Sequence, residues 1–143
     1  MTVRTAPPSW FRIAAIVLLL WGLAALASFW MHLSFDPDDP ANAAYDRQLY
    51  RSLPGWLNWV YAVAVGTAFA GAVALLLRRA IAVPLFALSL AAVVVQFAWT
   101  LGMTDLIAAK GLGTAAGFPL VIFALAVLSL WLAERARRRG WIG

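Results

Sequence analysis

The chain has no cysteine, one histidine and only 12% charged residues. Without thiols there is no disulfide framework, no thiolate nucleophile and no thiolate-held metal. A lone imidazole is too few soft ligands for a transition-metal centre. The scarcity of charge excludes an ordinary soluble domain, in which charged residues make up about a quarter of the chain. Long polar stretches are missing as well, so no separate soluble domain is expected beside the apolar one, and residues 1–143 read as a single domain.

What is present is apolar. Hydrophobic residues are 64% of the 143, and uncharged runs occupy 13–35, 54–77, 80–104 and 112–133. Each run reaches the roughly 20 residues that a helix needs to cross about 30 Å of hydrocarbon. The expected fold class is therefore all-α: an integral membrane four-helix transmembrane bundle with spans at about 11–35, 54–77, 80–104 and 115–134. The first run passes through Ala25-Leu26-Ala27, which resembles a signal-cleavage site. It continues through Phe29, Trp30, Leu33 and Phe35, too long for a signal h-region, so an uncleaved first span is expected.

The net charge of +5 does not describe a nucleic-acid binder, because the cations sit at the ends of the apolar runs. In a four-span threading Arg4, Arg12, Arg78, Arg79, Arg135, Arg137, Arg138 and Arg139 share one side, and Arg47, Arg51 and Lys110 the other. The positive-inside rule then puts both termini in the cytoplasm. Trp10, Trp30, Trp56, Trp59, Trp99 and Trp141 fall near water borders, where an apolar ring with one N–H donor is at home.

Between the first two spans, Tyr45, Leu49 and Leu53 recur at helical spacing behind an Asp39-Pro40 start signal, which predicts a short amphipathic helix on the outer surface, ended by Pro54-Gly55. In the second span Ala62, Gly66, Ala70 and Ala74 repeat every four residues, a stripe that suits close helix packing in lipid and puts this span at the centre of the bundle. The segment 105–117 is rich in small residues and reads as an outer loop. Its Gly111 to Gly117 stretch has neither the spacing nor the preceding strand of a dinucleotide fingerprint.

No ionisable residue lies at mid-membrane depth, where one would mark a functional site by default. The polar groups that remain, His32, Asn58, Tyr61, Gln96, Thr100 and Asp105, come to similar depth near the outer face and form the candidate ligand- or lipid-facing cluster. For His32 the plainer reading is a solvated or hydrogen-bonded border residue, and for Gln96 an interhelical hydrogen bond. Asp36, Asp38 and Asp39 lack the spacing and glycine of an EF-hand and read as a solvated turn. Ser34 lies on a different helical face from His32, a poor pairing for nucleophilic catalysis.

Trp10-Phe11, Leu20-Trp21, Tyr50, Pro54-Gly55-Trp56, Tyr61-Ala62-Val63-Ala64-Val65-Gly66 and Pro84-Leu85-Phe86-Ala87-Leu88-Ser89-Leu90 together resemble the small four-helix bacterial inner-membrane proteins often labelled sugar transporters. The resemblance implies architecture and a bacterial cytoplasmic membrane, through tryptophan, proline and small packing positions that carry no chemistry. Three functions are weighed. The first is a non-enzymatic accessory subunit of a larger bioenergetic or photosynthetic membrane complex, with no intrinsic cofactor and with lipid, pigment or quinone as expected bound molecules. The second is a small-solute transporter acting as an oligomer, and the third an intramembrane enzyme resting on His32 and Asp105. Partners on the first reading are the bilayer and other membrane subunits, with no nucleic acid.

Overall fold

A computed structural model describes residues 4–143. The elements are α1 (Ser9–Leu33), α2 (Ala44–Ser52), α3 (Trp56–Leu76), α4 (Ala82–Met103), α5 (Leu106–Lys110) and α6 (Leu112–Arg138), with no strand among the described residues. Helices α1, α3, α4 and α6 are long and apolar enough to cross a membrane, and the protein is a multi-pass membrane protein with an all-α four-helix bundle. Apolar helices are the economical solution in lipid, because each satisfies its own backbone N–H and C=O groups.

The spans pack in the order α1, α3, α4, α6: α1 lies on α3, α3 on α4 and α4 on α6, while α1 and α6 make no extended contact. The bundle is thus a fan with one open seam. Helices α3 and α4 form its inner pair, joined by a turn too short for anything but an antiparallel hairpin.

The tightest packing lies at the end that carries both termini. Phe11, Ala15 and Leu18 of α1 meet Ala72 and Leu75 of α3, Ala82 and Phe86 of α4, and Leu132, Ala133 and Ala136 of α6 in one buried cluster. Small residues let the backbones close up there. A Cβ on Gly71 would stand 2.9 Å from Phe86 Cε1, and one on Gly22 would stand 3.1 Å from Phe69 Cα. On Gly66 it would meet nothing within 4 Å, so the close approach along α3 falls at Gly71 rather than within the expected stripe. Of that stripe Ala74 is buried, and Ala62, Gly66 and Ala70 are half-buried.

The same end is closed by a clasp of the two tails on the α3–α4 turn. Helix α6 stops at Gly140, whose positive φ of 73° lets Trp141 N–H turn back to Ala136 O at 2.9 Å. The chain then runs under the bundle, burying Ile142, and exchanges Gly143 N–H to Arg78 O (3.0 Å) and Ala80 N–H to Gly143 O (3.1 Å). Arg78 binds both tails, donating from Nε to Trp141 O at 2.8 Å and from Nη2 to Thr5 O at 2.7 Å. Its own φ is 57°, the left-handed region that any Cβ disfavours by about 1–2 kcal/mol. Trp10, Phe11 and Trp141 complete the closure as an edge-packed aromatic group.

Two boundaries differ from expectation. Helix α2 begins at Ala44, four residues beyond Pro40, because Asp39 Oδ1 accepts from Ala41 N–H (2.9 Å) and so caps a turn of its own rather than the helix. The segment 105–117 is largely helical: α5 fills 106–110, and α6 starts immediately after Gly111. Only Gly111, at φ 82°, breaks the two. The alanines of that segment favour helix once Ala115 is buried and its N–H bonds Gly111 O at 2.9 Å. Pro119 lies inside α6 and leaves Ala115 O without its helical donor.

Candidate functional site

Above the packed end the four spans separate around a cavity of about 340 Å³. Each helix contributes one face at i, i+3, i+4, i+7 spacing, the geometry that stacks side chains along one stripe. From α1 come Trp21, Ala24, Ala25 and Ser28, and from α3 Tyr61, Ala64, Val65 and Ala68. Phe86, Ser89, Val93, Gln96 and Phe97 of α4 and Phe118, Ile122, Leu125, Ala126 and Ser129 of α6 close the other two walls. The alanines make the room and the aromatics line it. On the open seam between α1 and α6 the cavity faces what surrounds the bundle: Ala24, Ser28 and Phe118 are exposed although they line it.

The polar groups of the wall are nearly all engaged. Tyr61 donates to Ser28 Oγ at 3.1 Å, Ser89 to Ala64 O at 2.7 Å and Ser129 to Leu125 O at 2.7 Å. The exception is Gln96, whose Oε1 is buried without a hydrogen-bond partner. The expected interhelical bond from this oxygen is therefore not made. A buried acceptor left unpaired costs about 1–3 kcal/mol, and this oxygen is packed beside the cavity with almost no surface open to it.

The sequence-level cluster of six divides into separate groups. His32 Nε2 lies 2.9 Å from Asn58 Oδ1, which requires the proton on Nε2, and the imidazole sits between the rings of Tyr50 and Tyr61 at 5.3 Å from each. Tyr61 links this border group to the cavity that Gln96 lines. Thr100 spends its hydroxyl on Gln96 O of its own helix at 2.8 Å. Asp105 lies beyond the span and accepts from Tyr45 at 2.9 Å, tying α2 to the end of α4. His32 and Asp105 are thus held by different partners. The wall residues Trp21, Ser89, Phe97, Phe118 and Ser129 lie outside the candidate cluster read from the sequence, because an aromatic or hydroxyl in an apolar span is indistinguishable from lipid-facing or packing residues until the helices are placed.

The loop-side surface is a small polar assembly. Tyr45 and Leu49 of α2 face Trp99 and Met103 of α4 across a shallow hollow. Lys110 reaches Asp46 at 2.8 Å, and Arg51 pairs with Asp38. These pairs are exposed and contribute at most about 1 kcal/mol each. Partial desolvation first, and then the carboxylates of Asp105 and Asp46, raise the Tyr45 hydroxyl above its ordinary pKa. A second hollow, about 680 Å³, runs along α6 past Trp131, Glu134, Arg135 and Arg138. One helix lines all of it, so it is a groove on the outside of the bundle.

Comparison with family models, with curated proteins and with solved structures finds no match for this chain.

Proposed function

We propose that this protein is a non-enzymatic accessory subunit that packs through its apolar helix faces against a larger bioenergetic or photosynthetic complex of a bacterial cytoplasmic membrane. The observation that carries the reading is the open seam. Four helices that close a ring need no neighbour, whereas α1 and α6 make no extended contact and leave the cavity-lining Ala24, Ser28 and Phe118 exposed. In lipid, association is driven by packing rather than by hydrophobicity, and such a gap is where another helix or an apolar molecule gains contacts that bulk lipid makes poorly. The arginine asymmetry supports cytoplasmic termini. On this reading the protein has no intrinsic cofactor, and what it holds is a bound lipid-like molecule.

The test is extraction of the tagged chain in a gentle detergent. A stoichiometric membrane partner is the expected result, and a lone monomer under those conditions overturns the reading. The cavity also favours a second reading, a small-solute carrier that completes its path by oligomerising. Its walls are mostly apolar, which suits a greasy solute better than a sugar. Absence of flux for any solute in reconstituted vesicles retires that alternative.

A further inference from the structure

The end of α6 carries more positive charge than the fold uses. Arginines in the last turn of a helix commonly hydrogen-bond its last carbonyls, but here those carbonyls are taken. Arg135 O, Ala136 O and Arg137 O accept from the backbone N–H groups of Arg139, Trp141 and Gly140, and Arg139 O accepts from the Thr5 hydroxyl at 2.7 Å. Glu134 is met by Arg137 at 2.6 Å and by Arg138 at 3.4 Å. Among the described residues, that leaves Arg135 and Arg139 exposed and without a carboxylate in salt-bridge distance. Membrane orientation depends on how many cations lie on a side and not on their arrangement. The arrangement is nonetheless regular: Arg135, Arg138 and Arg139 follow Val127 and Trp131 along one stripe of α6, and that stripe forms the outer groove of about 680 Å³.

The groove changes character along its length. Toward the bundle centre its floor is apolar, made by Val127, Leu130 and Trp131, and toward the tail it is basic. At 1.5 Å per residue the stripe from Val127 to Arg139 covers about 18 Å, against about 15 Å of hydrocarbon in one leaflet. Its apolar part therefore lies at acyl depth, and its arginines reach the headgroups. The Arg135 guanidinium stands over the Trp131 ring, 5.4 Å from the centroid, which holds the charge at the top of the apolar stretch. A guanidinium is a planar fork that fits two phosphate oxygens at once. A zwitterionic headgroup brings a cation of its own, which unpaired arginines repel, so the charge selects a lipid with net negative phosphate.

We infer that the outer groove of α6 is a binding site for one anionic phospholipid, whose phosphate accepts from Arg135 and Arg139 and whose acyl chain lies along Val127 and Trp131. Charge and grease are continuous there, which fits a lipid and not a free anion. Val127 and Trp131 lie outside the cavity lining, so this site is independent of the cavity and of the subunit reading.

Native mass spectrometry of the full chain, released from a mild detergent, counts bound lipids and bound copies together. The probes are phosphatidylglycerol and phosphatidylcholine with identical acyl chains, and inorganic phosphate as competitor. The first phosphatidylglycerol is expected to bind roughly ten- to thirtyfold more tightly than phosphatidylcholine, the effect of two arginines beside an anionic headgroup. Arg135→Gln combined with Arg139→Gln should abolish that preference. Arg12→Gln combined with Arg79→Gln, which removes equal charge from exposed positions outside the groove, should keep it. Equal binding of the two lipids by the unaltered protein overturns the inference, and this comparison decides even where a variant does not fold. Equal losses in the two double variants would assign the preference to diffuse surface charge. Displacement of the lipid by inorganic phosphate at equal concentration would mean that the apolar floor adds nothing, and a dimer that excludes lipid would give the groove to a second copy. Each of these three results also overturns the site.

Discussion

Arg78 offers the sharpest handle on how the bundle is held shut. Its guanidinium donates to Trp141 O and Thr5 O, at 2.8 and 2.7 Å, and so joins both tails to the α3–α4 turn. Hydrogen bonds from a charged donor contribute about 1.5–3 kcal/mol each, and since Arg78 is half-buried the lower figure applies, giving about 3 kcal/mol for the pair. Alanine removes the bonds but keeps a Cβ at φ 57°. Glycine removes both the bonds and the left-handed penalty of about 1 kcal/mol. Arg78→Ala is therefore expected to lose about 3 kcal/mol and Arg78→Gly about 2 kcal/mol, from the difference between these terms. Unfolding titrated with a denaturing detergent in mixed micelles measures both, and limited proteolysis should show the 139–143 tail released in each. The reasoning is refuted if both variants stay within about 0.5 kcal/mol of the parent, the scatter of ordinary surface changes, or if glycine is the worse of the two.

Three further outcomes follow from named contacts. Gly71→Ala puts a methyl 2.9 Å from the Phe86 ring, and overpacking of this kind costs about 1–3 kcal/mol. The loss should shrink when Phe86→Leu is added, and strictly additive losses in the same titration would contradict the contact. Tyr45 titrates above its ordinary value, so the folded form holds its proton more tightly than the unfolded form. The resulting stability is complete below about pH 10 and is lost as pH rises through the raised value, which ultraviolet titration of the tyrosines should follow beside loosening of the α2 contact. Tyr45→Phe should remove that alkaline phase, and a phase that persists would place its origin elsewhere. In Gln96→Leu, without added ligand, the buried unpaired oxygen is gone, and the thermal midpoint should rise rather than fall by the equivalent of about 1 kcal/mol. A fall would show that the amide is already satisfied.

The sequence displays its spans plainly, because twenty uncharged residues in a row have few other uses, and all four helices lie within a few residues of their expected limits. The amphipathic helix was also readable in outline from Tyr45 and Leu49. Its start was not, since Asp39 caps a turn as readily as a helix and nothing local decides between them. The 105–117 segment was misread for a similar reason: glycines suggest a loop, but alanines between them extend α6 once Ala115 finds a neighbour. Close packing at Gly71 rather than Gly66 depends on where Phe86 of another helix falls, which no periodicity within α3 reveals. The candidate site was half visible. Gln96 stood out as an amide in lipid, yet its missing partner and the aromatic walls around it exist only once four faces are brought together.

Cavity, seam and clasp all require the chain to be threaded four times through a bilayer, with the α1–α3 connection on one side and both tails on the other. Because the protein has no cysteine, single cysteines can be placed at will: Asn42→Cys in the connection and Arg139→Cys beside the clasp. In intact cells an impermeant thiol reagent should label the cysteine at 42, and should reach the one at 139 only after the membrane is opened. Equal labelling of both positions in intact cells would contradict the threading.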